Sequence, residues 1–103
     1  MKSIMLVCAA GMSTSLLVTK MQKAAEDKGL DADIFAISAS EFEDILEKKD
    51  VGVVLLGPQV KFKQKQFEEK LEGTNIPLDS INMQHYGTMN GEKVLESALE
   101  LMN

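Results

Sequence analysis

One cysteine is present, Cys8, and it heads a run of small and hydroxylated residues, Cys8-Ala9-Ala10-Gly11-Met12-Ser13-Thr14-Ser15. A thiolate is a nucleophile toward phosphorus. Small residues and a glycine let backbone amides turn toward a common point, and three successive hydroxyls add donors. A helix beginning here aims its first amides and its partial positive charge at the same point. Such a loop suits an oxyanion such as phosphate, cradled by Ala10, Gly11, Met12, Ser13, Thr14 and Ser15, with Cys8 as the catalytic nucleophile. The field that holds the anion also favours thiolate over thiol. Ser15 is the hydroxyl expected nearest the sulfur. The plainer alternative makes Cys8 a small core hydrophobe at a strand end, with the hydroxyls only capping a helix.

Elements must position that loop, and the hydrophobic pattern supplies them. Residues 3–8 are apolar and read as a buried strand. In residues 14–28, Leu17, Val18, Met21, Ala24 and Ala25 share one helical face, and Gly29 stands at the C-cap. Residues 32–37 read as a second strand. Ser40 with Glu43 spells a capping box ahead of a short helix carrying Phe42, Ile45 and Leu46. Residues 51–56 (Val-Gly-Val-Val-Leu-Leu) are unbroken in apolarity, as a central parallel strand covered on both faces should be. A loop or helix start near residue 60 leads to a helix ending about Leu71. Residues 76–82 form a fourth strand, placed at an edge by Pro77. Asn90 caps a final helix. Strictly alternating strands and helices predict an α/β fold. It is a three-layer, doubly wound, four-stranded parallel sheet of order 2-1-3-4, with helices on both faces and a phosphate loop after strand 1. The switch point then falls between strands 1 and 3, where Cys8 and Gly57-Pro58-Gln59 meet.

The bulk composition narrows the function classes. The 103 residues suit a single domain, 1–103, and are 45% hydrophobic and 26% charged. A single cysteine rules out an internal disulfide and fits a reducing, cytoplasmic setting. His85 is the sole histidine, so neither a cysteine-clustered nor a two-histidine metal site is expected, and no cofactor is required. Net charge is −5, and all eleven basic residues are lysine. An acidic chain without arginine is a poor nucleic-acid binder. No apolar run is long enough to span a membrane, and no secretory leader is expected. A monomer is expected.

The segment from Cys8 to Val18, Cys-Ala-Ala-Gly-Met-Ser-Thr-Ser-Leu-Leu-Val, closely resembles the active-site loop of the IIB component of the sugar phosphotransferase system, in the lactose/cellobiose/chitobiose class. Val54-Leu-Leu-Gly-Pro-Gln59 resembles that family's segment after strand 3, and Tyr86-Gly87 with Asn90-Gly91 resembles its last loop. The resemblance runs along essentially the whole chain. It implies that a phosphohistidine on a IIA partner donates to Cys8. Phosphocysteine then donates to a sugar of the cellobiose, chitobiose or lactose type as a membrane IIC partner transports it, at the inner face of the membrane.

The loop is also similar to that of low-molecular-weight tyrosine phosphatases, Cys-x5-Arg-Ser/Thr. Here Thr14 stands in the arginine position. A phosphatase needs that arginine to hold the phosphoryl group, and needs an acid for its leaving group. A cysteine phosphatase is therefore the second reading, and a non-enzymatic phosphate or flavin binder the third. Only five aromatic residues and no tryptophan are available to stack a flavin ring. Gln59 and Tyr86, read as loop residues at the carboxyl end of the sheet, are accessory candidates near the phosphate. Met12 is either a stray surface methionine or a partner contact. His85 reads as a solvated loop residue, and Lys61, Lys63, Lys65 and Lys70 as a solvated basic face or a dock for an acidic partner.

Overall fold

Four parallel strands, β1 (Ser3–Cys8), β2 (Ile34–Ser38), β3 (Val51–Leu56) and β4 (Leu78–Ser80), form one sheet in the order β2-β1-β3-β4. The structure is a computed structural model that describes residues 3–8 and 12–102, without the side chains of Met12, Ser13 and Gln59. The predicted order and alternation are as found. In register, Cys8 stands opposite Ser38, Val7 opposite Leu56, and Leu56 opposite Ser80. The carboxyl ends of all four strands therefore lie along one edge.

Every residue of β1 and β3 is buried, as two covered faces require. Their side chains alternate between two cores. Ile4, Leu6, Val53 and Leu55 pack with Leu17, Met21 and Leu95 from α1 (Met12–Asp27) and α5 (Gly91–Met102). Met5, Val7, Val54 and Leu56 pack with Phe42 and Phe67 from α2 (Phe42–Lys48) and α3 (Gln64–Lys70). The two phenylalanine rings meet edge to face, with centroids 4.7 Å apart. Cys8 is in phase with Ile4 and Leu6, so the alternation aims its sulfur at the α1 side.

Several boundaries differ from the expectation. Helix α1 begins at Met12, two residues early, so Ser13, Thr14 and Ser15 lie inside its first turn. The cap before α2 is built from Ser38 and Glu41 rather than Ser40 and Glu43. The backbone N–H of Ser38 donates to Glu41 Oε1 at 3.2 Å, and a 3₁₀ turn over Ala39–Glu41 leads into the helix. The same Ser/x/x/Glu spacing occurs at both places, and β2 running on to Ser38 selects the first. A second 3₁₀ turn, Pro58–Lys63, precedes α3. Strand β4 is three residues, shorter than predicted. The segment read as a loop around Tyr86 is a short helix, α4 (Met83–Gly87), whose cap Asn82 accepts from the backbone N–H of Gln84 and His85.

Helices α1 and α5 approach closely at Gly91. A Cβ at Gly91 would lie 2.5 Å from the carbonyl carbon of Lys20 and 2.6 Å from the amide nitrogen of Met21. Those are backbone atoms of a helix and cannot swing aside. Gly91→Ala should therefore cost about 1–3 kcal/mol, read as a lower urea midpoint. A midpoint unchanged within error would show that the helices separate freely.

Ser3 Oγ donates to Asp33 Oδ2 at 2.9 Å, and Lys49 Nζ pairs with the same oxygen at 3.0 Å. Lys49 first, then Ser3, hold the Asp33 carboxyl below the usual carboxylate range. The folded carboxyl is the stronger acid, so its stabilisation is present above about pH 4 and is lost as pH falls through the folded value. Both partners are about half exposed, which keeps the effect under about 1 kcal/mol. Asp33→Asn should be slightly less stable at neutral pH, with the difference vanishing in acid. Urea midpoints of both proteins across pH 2–7 check this.

Candidate functional site

The sulfur of Cys8 sits at the end of β1, flanked by β2 and β3, and is 1% exposed. Thr14, fully buried in the first turn of α1, donates its hydroxyl to that sulfur at 2.9 Å. The carbonyl oxygen of Ile37 in β2 lies 3.8 Å from the sulfur. The end of β1 and the first turn of α1 thus place the nucleophile candidate beside the helix N-terminus. No acidic residue occupies the first turn of α1, so no carboxylate there competes for its amides.

A buried hydroxyl donating to sulfur can stabilise charge that develops on it when a bond to sulfur breaks. The hydroxyl found at the sulfur is thus that of Thr14, six residues on. Ser15, favoured from the sequence, lies in the same turn with an exposed side chain. The clue was present, since Thr14 holds the place of the phosphatase arginine.

The remaining candidates are placed unevenly. Ala10 and Gly11 lie outside the described residues, as do the side chains of Met12 and Ser13. Gln59 belongs to the 3₁₀ turn after β3, which is tied to the site strand by the Gly57 N–H donating to the carbonyl of Val7 at 2.8 Å. Tyr86 is half-buried against the α1/α5 core. His85 is more enclosed than a solvated loop residue: its Nδ1 is buried with no hydrogen-bond partner among the described residues. It borders a cavity of about 290 Å³ with Asp79, Ser80, Asn82 and Ser97. No described residue of β1 or α1 lines that cavity, so it is separate from Cys8.

Comparison with known proteins joins this geometry to a family. The family model described as "PTS system, Lactose/Cellobiose specific IIB subunit" matches residues 3–97. The chain belongs to that family. Among relatives of this IIB chain, the cellobiose-specific EIIB component of Lactococcus lactis subsp. lactis is 52% identical, over 99% of this chain and 97% of the relative. The galactose-specific EIIB component of Lactococcus lactis subsp. cremoris is 51% identical over the same shares. A solution structure of the cellobiose-specific IIB component of Borrelia burgdorferi superposes with a TM-score of 0.80 at 44% identity. That match covers 99% of this chain and 92% of the other. Two relatives named for different sugars are almost equally similar, so overall similarity does not select a sugar for this IIB chain. No helix among its described residues is long and apolar enough to cross a membrane.

Thr14→Val keeps the shape of the side chain and removes the donor. The loss should be about 1 kcal/mol of stability, as for one buried hydrogen bond. A urea midpoint equal to wild type would show that the hydroxyl–sulfur contact contributes nothing.

Proposed function

We propose that this IIB chain relays phosphoryl groups through Cys8. A phosphohistidine of a IIA partner is the donor. The Cys8 thiol gives its proton to the departing imidazole as sulfur attacks phosphorus, a sulfur–phosphorus bond forms, and the phosphorus–nitrogen bond breaks with its electron pair returning to the imidazole. In the second step a sugar hydroxyl attacks the same phosphorus. The sulfur leaves as thiolate, the hydroxyl proton passes to a base at the acceptor site, and the sugar phosphate departs. A membrane IIC partner holds that sugar, which places the chain in the cytoplasm at the membrane's inner face. The reaction class is protein-phosphocysteine–sugar phosphotransfer, with a cellobiose-, chitobiose- or lactose-type acceptor.

The observation that carries this reading is the Thr14 hydroxyl at 2.9 Å from a sulfur stationed at the N-terminus of a sixteen-residue helix. Amides of the first turn, with Ala10, Gly11, Met12, Ser13, Thr14 and Ser15 around them, hold the phosphoryl oxygens. Thr14 stabilises the charge that returns to sulfur when it leaves in the second step. A threonine cannot clamp a phosphoryl group bidentately as arginine does. The same loop therefore holds phosphate without the device that speeds hydrolysis, which favours carriage over the phosphatase reading.

Incubation with phosphorylated IIA protein, followed by intact-protein mass spectrometry, tests the relay. The expected result is a gain of one phosphoryl group, absent in Cys8→Ser. Failure of wild type to gain mass, or gain by Cys8→Ser, would overturn it. Rapid Cys8-dependent turnover of p-nitrophenyl phosphate would favour the phosphatase instead.

A further inference from the structure

Three large apolar side chains among the described residues are more than half exposed: Leu16 at 52%, Phe62 at 80% and Met83 at 66%. Each belongs to a segment that leaves the carboxyl end of a strand. Leu16 is in α1 after β1, Phe62 in the 3₁₀ turn after β3, and Met83 opens α4 after β4. In a parallel sheet these segments emerge on one edge, the edge where Cys8 lies. Exposed apolar side chains on the edge that carries Cys8 are available for contact with another molecule.

Phe62 is the most exposed of the three, and its neighbours are cationic. Val60 anchors the 3₁₀ turn in the α2/α3 core beside Val7. With about three residues per turn, Val60 and Lys63 share a side and Lys61 and Phe62 face outward. Lys63 Nζ lies 5.8 Å from the Phe62 ring centroid. Lys28, Lys48, Lys49, Lys70 and Lys93 all have carboxylate partners. Among the described residues, Lys20, Lys23, Lys61, Lys63 and Lys65 have none, and the last three fall in one run around Phe62, in a chain with sixteen acidic residues and a net charge of −5.

We propose that Phe62, framed by Lys61 and Lys63, is the anchor on which the phosphorylated IIA donor docks. This rests on the Cys8 relay described above. Charge selects the donor over the permease. A phosphoryl group brings on the order of two negative charges to the donor's docking face. Before transfer, the donor is anionic there and the lysine-rich turn attracts it. After transfer, those charges sit on Cys8 of this chain and offset its own lysines. Attraction for the spent donor falls, and release follows. The permease meets only the charge-offset form, so it gains less from the same lysines. The partner surface that fits is an apolar socket for an aromatic ring with an acidic rim.

The test measures binding of a phosphorylated IIA protein of the lactose/cellobiose class to Cys8→Ser in several salt concentrations, alone and combined with Phe62→Ala or with Lys61→Glu and Lys63→Glu. Phe62→Ala should weaken binding about tenfold. The charge reversals should weaken it about tenfold at low salt and little at high salt. With Cys8 intact, both variants should raise KM for the donor, keep kcat, and still gain one phosphoryl group at saturation. Unchanged affinity and KM would overturn the proposal. So would a defect confined to sugar phosphorylation with permease-containing membranes, which would assign the surface to the permease. Wild type that gains no phosphoryl group would overturn the relay itself, while the binding arm would still report on the dock. Phe62 and the two lysines are at the surface, and thermal melts of the variants confirm folding.

Discussion

The burial of β1 is the constraint on which the remaining features rest. It is hydrogen-bonded on both flanks, by β2 and β3, and covered on both faces, by α1 and α5 on one and α2 and α3 on the other. A strand so enclosed has one admissible register, because a slip of one residue would exchange the two cores. Register fixes the height of Cys8, and alternation fixes its direction. The sulfur consequently meets Thr14 through the geometry of the whole sheet rather than through any local feature of the loop.

The chemistry at that point depends on a threonine standing where related loops carry an arginine. A hydroxyl hydrogen bond to sulfur is neutral on the donor side and makes one contact. A guanidinium adds a full charge and grips two oxygens. Under the proposed relay, a site built with the first receives and surrenders phosphate with little bias toward any acceptor, and specificity comes from the protein surface presented at the sheet's carboxyl edge.

Strands were legible where their pattern was extreme. Ser3–Cys8 and Val51–Leu56 are continuous apolar runs between polar segments, and their limits follow from composition. Strand β4 was harder, because it is an edge strand of three half-buried or exposed residues and has little core to report. Helix α4 left no periodic trace, since five residues hardly complete a turn and a half. The cap at Ser38 was ambiguous because two identical spacings overlap within six residues, and tertiary pairing of β2 decided between them. At the candidate site, the place of Cys8 at the end of a buried strand was legible from the apolar run that it closes. The choice between Thr14 and Ser15 was not, because it turns on where the helix begins, and the end of a helix is the least determined part of its pattern.

The sheet order has a consequence for biosynthesis. Strand β1 is the first element made, yet its partner β3 ends only at Leu56 and the capping contacts of α5 come last of all. A nascent chain that stops short of residue 56 leaves one flank of β1 unpaired. Its lone thiol is then solvated, next to no ordered hydroxyl. Cys8 thus precedes its own shelter by about half the length of the chain, and a fragment that stops short of Leu56 leaves the sulfur without it.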